Sequence, residues 1–481
     1  MALSDRDRQE FAEHISSRHL PPVSYRDLPE PKRLRQIAGA SIIITATAIG
    51  SGEFVLWPYI TSQVGLVLMW AAVVGFLTQY FINMEVTRYT LATGETAVTG
   101  FTRLWKPWGV LFILMTILPN IWPGWGTGAA TTLTYIIGGG NVVAIAIAAL
   151  VAIGIALTLS PVVYQTVEKV ETVLVALIAV FLVLVVSVAT TGEAWGTFVT
   201  DFSNFGQFPP FEAVGGIAAL LGAIAFAGAG GANNLVQSNW VRDKGMGMGV
   251  YLPKVTSPFT GESHAEPGTG YTFRETEDNM RRWRGWWRVA NLEQFFTFFV
   301  LGCTTLIILS VLAYSTVFGQ ALPEDDFEFI LLEGQVLGDR FGDWFSIAFW
   351  AAGTIALFST ELGILDYVSR LTADTLKVSV FPGSTKVTES RIYFVVIWSM
   401  IVFGIVILLS GLQQPVALLI IAASLGGVVM FVYSVLLILI NRKYLPKSIR
   451  ISGVRLAVMI WAVLFYGYFS VLLVGDQLGL V

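Results

Sequence analysis

Glu53 stands in "IGSGEFVLWP" (residues 49–58), with glycines just before it and an apolar run just after. An acidic side chain at the centre of a bilayer costs roughly 2.5–3.5 kcal/mol on insertion scales, and such residues normally face a cavity and serve it. A second polar group follows a glycine run in "AGAGGANN" (227–234), where Asn233 and Asn234 end the stretch. Carboxylate, amide and carbonyl oxygens are hard donors that suit magnesium, calcium or manganese rather than softer metals. Magnesium keeps several waters and takes only one or two carboxylates, so a single glutamate suffices. Glu53, Asn233 and Asn234 are the polar candidates to line such a cavity, and they are the candidate metal ligands if its cargo is a cation. Gly50, Ser51, Gly52, Gly230 and Gly231 are the candidates to lend backbone groups to the same site. A further polar run, "STELG", places Ser359, Thr360 and Glu361 side by side, with Asp366 five residues beyond Glu361.

These residues need helices that hold them inside a membrane. The chain has 481 residues, is 55% hydrophobic and only 13% charged, and its mean hydropathy is +0.69. Soluble domains carry about 25% charged residues, so the composition specifies an all-α polytopic membrane protein. A span needs about 20 apolar residues. That rule gives eleven candidate helices, near 37–60, 66–91, 107–137, 141–161, 170–190, 211–240, 291–317, 342–370, 391–411, 414–440 and 454–475. Helix 3 is the least regular, because "LPNIWPGWGTG" crowds proline and glycine into it. The lone Cys303 excludes an internal disulfide. His14, His19 and His264 all lie outside the apolar segments.

Lysine and arginine set the expected orientation. With the N-terminus inside, every Lys and Arg except Arg340 falls on the cytoplasmic side, an asymmetry that fixes the parity. The C-terminus is then external, and the acidic loop with Glu324, Asp325, Asp326 and Glu328 is external as well. Residues 1–36 lack the apolar core of a signal peptide and read as a cytoplasmic tail. The Arg- and Trp-rich "MRRWRGWWRVA" closes a cytoplasmic insertion at 243–290 and reads as an interfacial anchor feeding helix 7, not as a nucleic-acid site. Glu85 with Arg88 and Glu168 with Lys169, at helix ends, read as gate or interface ion pairs.

Matched interruptions suggest the architecture. Transporters built from inverted repeats place discontinuous helices at corresponding positions of their halves, with the substrate between them. Helix 1 carries "GSGE" (50–53), and helix 6, the first of the second five, carries "AGAGGANN". Glycine costs about 1 kcal/mol in a helix interior. Five-plus-five organisation follows: a first repeat at 37–190, a second at 191–440 that includes the insertion, and helix 11 with a short terminus at 441–481. Close packing is the competing use of glycine in membrane helices.

In order and spacing the chain resembles the Nramp family of divalent-metal transporters, within the amino acid–polyamine–organocation superfamily. The resemblance is carried by "EVTRYTLATGE" (85–95), "VEKVETVLVALIAVF" (167–181) and "GTIALFSTELG" (353–363). It implies the leucine-transporter-type fold with broken helices 1 and 6. It also implies that helix 8 lines a coupling-ion site, for which Ser359, Thr360 and Glu361 are the candidates. The family's helix 1 motif, Asp-Pro-Gly-Asn, aligns with Gly50, Ser51, Gly52 and Glu53. Its helix 6 motif, Met-Pro-His-Asn, aligns with Gly231, Ala232, Asn233 and Asn234. An acidic helix 3 position aligns with Asn120. The thioether and imidazole are absent, so magnesium or manganese is the expected cargo, with proton linkage as an option.

A second reading stays open. "IGSGEF" is also similar to the Gly-Ser-Gly-x-Phe segment of amino-acid transporters in the superfamily. There the substrate is an amino acid or organic amine, Glu53 is its counter-charge, and Trp57, Trp122 and Trp125 supply aromatic walls. A non-transporting membrane sensor or scaffold is the remaining class. No nucleotide loop, hydrolase metal spacing or catalytic triad is legible, so neither an enzyme nor a cofactor is expected. The expected partners are a small cation or small organic substrate and the lipid bilayer. The oligomeric state is not legible.

Overall fold

A computed structural model describes residues 10–37, 39–160, 163–252, 269–320, 327–382, 384, 386–412 and 414–480. His264, Glu324, Asp325 and Asp326 lie outside the described residues. Among the described residues nine helices are long and apolar enough to cross a membrane. They are Ser41–Val64, Pro107–Ile137, Val142–Leu159, Val163–Val188, Glu277–Thr316, Asp343–Ser379, Glu389–Leu409, Pro415–Lys443 and Gly453–Gln477. In order these are helices 1, 3, 4, 5, 7, 8, 9, 10 and 11 of the sequence reading.

The two other expected spans differ for identifiable reasons. Helix 2 is a continuous helix, Met69–Thr93, but it buries Gln79, Asn83, Glu85 and Arg88 and is too polar to count as an apolar span. Helix 6 is split into Gly216–Ala225 and Asn233–Asp243. Between them Gly228, Gly230 and Gly231 have φ of +111°, +67° and +53°, values that only glycine adopts freely.

Helix 1 departs from its expected break. The chain runs without interruption through Ala40–Ala48, a π-helical stretch at Ile49–Leu56 and Trp57–Val64. The glycines of "GSGE" are packing residues. A Cβ on Gly50 would overlap the Ala356 carbonyl of helix 8, and one on Gly52 would overlap the Phe226 carbonyl of helix 6. Helix 3 is interrupted as helix 6 is, between Pro107–Asn120 and Gly124–Ile137, where "IWP" separates the segments and Pro123 precedes the second.

Residues 10–37 pack against the rest of the chain. Strand Ser24–Tyr25 pairs in parallel with Tyr271–Thr272. The Leu28 amide donates to Asn279 Oδ1 at 3.0 Å, and Trp286 Nε1 donates to the Pro29 carbonyl at 2.8 Å. Buried Arg103 pairs with Glu95 at 2.6 Å, and it donates to the Ser16 and Pro21 carbonyls at 2.8 and 3.0 Å. The Arg- and Trp-rich stretch is the first part of helix 7, which begins at Glu277. Trp283 and Trp286 are buried, and the Arg88 and Arg455 guanidinium groups lie 4.1 and 4.7 Å from the Trp287 ring. Trp286 is covered by the N-terminal segment, and Trp283 packs against Phe273.

Candidate functional site

Glu53 is wholly buried, and neither of its carboxylate oxygens has a hydrogen-bond partner. It faces helix 7. A Cβ built on Gly302 would lie 3.7 Å from Glu53 Oε1, and the same glycine packs against the ring of Phe76. The helix is π-wound here, with the Trp57 amide bonding back to the Gly52 carbonyl. Single π-turns inside membrane helices often mark functional sites. Leaving an acid unpaired in an apolar interior carries a large desolvation cost, and nothing in the apolar packing around Glu53 offsets it.

The helix 6 break is held by one side chain that the sequence reading passed over. Gln79 of helix 2 donates to the Ala225 and Ala227 carbonyls, both at 2.8 Å. Its Oε1 accepts from the Gly230 amide at 3.0 Å and from Asn234 Nδ2 at 3.2 Å. A glutamine has two donors and one two-lone-pair acceptor, so Gln79 spends its full capacity on the break. Trp57 Nε1 adds a bond to the Ala223 carbonyl at 2.8 Å. The Asn234 amide also reaches the Tyr433 hydroxyl at 2.9 Å, and Asn233 Nδ2 donates to Thr47 Oγ1 on helix 1 at 2.7 Å. The Oδ1 atoms of both asparagines are unpaired.

Glu53 makes no hydrogen bond to Asn233 or Asn234. The Asn233 contact on helix 1 is Thr47, six residues before Glu53 and about 9 Å along the axis. Among the described residues no three His, Cys, Asp or Glu side chains gather as a metal cluster. The Gly50 amide donates to Thr360 Oγ1 at 3.1 Å, and the Ser51 hydroxyl donates to the Ala48 carbonyl at 3.1 Å. Gly230 gives its amide to Gln79, and Gly231 packs against Gly426 of helix 10. What the region offers a cargo is a set of unpaired buried oxygens, on Glu53, Asn233, Asn234 and Gln237.

The three consecutive helix 8 candidates point three ways, because successive residues on a helix turn by about 100°. Thr360 faces helix 1. Glu361 accepts the Gly126 amide of helix 3 at 3.1 Å, so its carboxylate sits at the N-terminal end of the second helix 3 segment, where the helix dipole favours a negative charge. Ser359 donates to Glu171 Oε2 on helix 5. Glu171 is fully buried, and its Oε1 is unpaired. Sequence reasoning missed it, although it falls in the buried stripe Tyr164, Val167, Glu171, Val175, Ile178 of that helix. An acid at a core-facing position was the available signal.

Other charged residues are engaged in ion pairs at the end of the bundle where the arginines gather. Asp366 holds Arg370 at 2.7 Å and accepts from Tyr393 at 2.6 Å. Arg370 also pairs with Asp243, and Arg242 pairs with Asp243, Asp374 and Glu389. The network ties helix 6 to helices 8 and 9. Glu85 pairs with Arg88 at 2.6 Å, and Glu168 pairs with Lys244 while Lys169 is exposed. Asn120 accepts the Tyr367 hydroxyl at 2.5 Å. Of the aromatic candidates, Trp125 lies 6.3 Å from the Phe226 ring beside the helix 6 break. The indole N–H groups of Trp122 and Trp125 are unpaired.

Solved transporter structures share this fold at low sequence identity. Variants of the manganese transporter of Eremococcus coleocola superpose with a TM-score of 0.66 at 11–12% identity, over 97% of this chain and 91% of theirs. MhsT in complex with L-phenylalanine gives 0.57 at 16% identity, over 92% of this chain and 100% of that one. Mhp1, a nucleobase-cation-symport transporter, gives 0.50 at 13%, over 93% and 95%. Curated protein sequences give no match. The profile of the family described as "Natural resistance-associated macrophage protein-like" matches residues 41–476. With its apolar helices and the shared transporter fold, this match makes the chain an integral membrane protein of the Nramp family.

Proposed function

We propose that the protein is a secondary-active transporter that carries a divalent cation, magnesium or manganese, through an all-oxygen site in which Glu53 is the charged ligand. The observation that carries this reading is Glu53 itself, wholly buried with both carboxylate oxygens unpaired, in a chain of the Nramp family. The Oδ1 atoms of Asn233 and Asn234 would join it when helices 1 and 6 draw together around the cargo, with carbonyls of the 227–231 break as additional donors. Gly50, Ser51 and Gly52 then act by letting helix 1 approach helices 6 and 8. Glu53 would exchange a proton for the cation, which links transport to pH. The arrangement is that of eleven spans in a five-plus-five inverted repeat, with the N-terminus cytoplasmic and the C-terminus external. Ser359, Thr360 and Glu361 are the helix 8 candidates for a coupling ion.

Uptake of magnesium and manganese into sealed proteoliposomes tests this. Saturable uptake by the wild type that Glu53→Gln abolishes is the expected result. Full transport by Glu53→Gln at every pH would overturn it.

A second reading has its own observation. The unpaired indole N–H of Trp125 and the Phe226 ring flank the helix 6 break, as an aromatic wall would for an organic amine or amino acid. Uptake of labelled amino acids by the same proteoliposomes, with no uptake of metal, would select it.

A further inference from the structure

Helices 5 and 7 leave a groove of about 510 Å³ between them. Thr172, Ala176 and Ala179 of helix 5 form one wall, Phe296 and Val300 of helix 7 form the other, and Ile42 of helix 1 lies between. Local sequence accounts for the gap. Helix 5 offers only methyl groups at Ala176 and Ala179, and helix 7 is π-wound over Phe295–Val300, so neither fills the space. Thr172, Ala176, Phe296 and Val300 are exposed. Both helices are long and apolar enough to cross a membrane, so the groove opens to lipid. The Thr172 and Thr297 hydroxyls are spent on carbonyls one turn back, those of Glu168 and Glu293, both at 2.6 Å.

Cations stand at one end of this groove. Lys169 lies one turn before Thr172 on the same side of helix 5 and is exposed. The stretch leading into helix 1 runs beside it. A Cβ on Gly39 would overlap the Glu168 carboxylate, and Lys32 Nζ donates to the Lys244 carbonyl at 3.4 Å. Arg33 of that stretch is exposed as well. Among the described residues neither Lys169 nor Arg33 enters an ion pair, whereas the adjacent acid, Glu168, is already held by Lys244.

We propose that the groove binds an anionic phospholipid, with one acyl chain over Ile42 between helices 5 and 7 and the phosphate between Lys169 and Arg33. Burial of the chain against alanine, valine and phenylalanine supplies affinity. The two cations choose the headgroup, because lysine and arginine near a bilayer surface favour anionic lipid. A second copy of the chain suits the groove less well, since a two-fold contact places the same surface on both partners and would bring like charges together. The site is independent of which cargo the protein carries.

The test uses the purified full chain, delipidated in detergent, with dioleoyl phosphatidylglycerol or dioleoyl phosphatidylcholine added at constant ionic strength. Native mass spectrometry counts bound lipid, and tryptophan fluorescence follows the unfolding temperature, which a ligand of the folded state raises in a saturable way. Phosphatidylglycerol is expected to act at about tenfold lower concentration than phosphatidylcholine. Ala176→Phe, at an exposed position, fills the groove and should abolish the response to both lipids. Lys169→Gln combined with Arg33→Gln should keep both responses and erase the preference. Val180→Phe, 71% exposed and outside the groove, should change nothing, which separates this site from the general lipid shell. Equal responses of the wild type to the two lipids would overturn the proposal. So would an unchanged response in Ala176→Phe, an equal loss in Val180→Phe, or the full shift with inorganic phosphate alone. A concentration-dependent dimer that binds no lipid would overturn it in favour of a second copy.

Discussion

In helix 1, Gly50 and Gly52 stay helical and bring the chain against the carbonyls of Ala356 and Phe226. In helix 6, Gly228, Gly230 and Gly231 turn the backbone into conformations that end one helix and allow the next to start. Two glycine-rich stretches of similar composition therefore solve opposite problems: the first closes a distance and the second opens a ladder of hydrogen bonds. The difference lies in who pays for the exposed backbone. The helix 1 stretch stays helical through π-type bonds, with Thr360 accepting the Gly50 amide. The helix 6 break depends on a side chain from helix 2, because a buried polar group left unpaired costs about 1–3 kcal/mol.

That dependence sets the largest expected effect. Gln79→Leu strands the Ala225 and Ala227 carbonyls and the Gly230 amide, and should destabilise the protein by about 3 kcal/mol or more, read as unfolding in detergent. Gln79→Glu would sharpen the point, since it can still accept from Gly230 but sets a carboxylate against two carbonyls. Gly52→Ala comes next. Its added methyl meets a backbone carbonyl that cannot swing away, so a loss of about 2–3 kcal/mol is expected in the same measurement. Gly231→Ala should cost about 1–2 kcal/mol for its left-handed conformation, with Gly231→Asn less harmful because asparagine tolerates that region. If Gly231→Ala proved harsher than Gly52→Ala, the assignment of packing to one cluster and unwinding to the other would be reversed. Thr47→Val is the mildest. It keeps the shape but takes away the acceptor of Asn233, for about 1 kcal/mol.

Both stretches were legible as special and both read as unwound, but only the helix 6 stretch is. Composition records that side chains are missing; it does not record whether φ has changed sign or a neighbour has moved in. Nine of the expected spans were readable because their apolar length is self-sufficient. The limits of helix 7 were not, because Glu277–Gln294 is polar and is kept helical by contact with the N-terminal segment. Glu53 was legible as an acid among apolar residues. Its neighbour was not, since the face it presents depends on the π-winding of Ile49–Leu56. Gln79 and Glu171 were missed for a shared reason. Each is a single polar residue whose meaning comes from another helix, the first from the carbonyls of Ala225 and Ala227, the second from Ser359.

The pairing of the N-terminal segment with the region around residues 271–279 bears on how the chain is made. Leu28 and its partner Asn279 are 251 residues apart. At ribosomal speeds of roughly 5–20 residues per second, about 10–50 s pass between synthesis of the two. Through that interval the Ser24–Tyr25 strand lacks its partner strand and the buried Leu28 lacks Asn279. This segment is thus fully secured only after six helices have been laid down behind it. Biogenesis of this protein has a window in which the segment lacks these partners, and it closes only when helix 7 arrives.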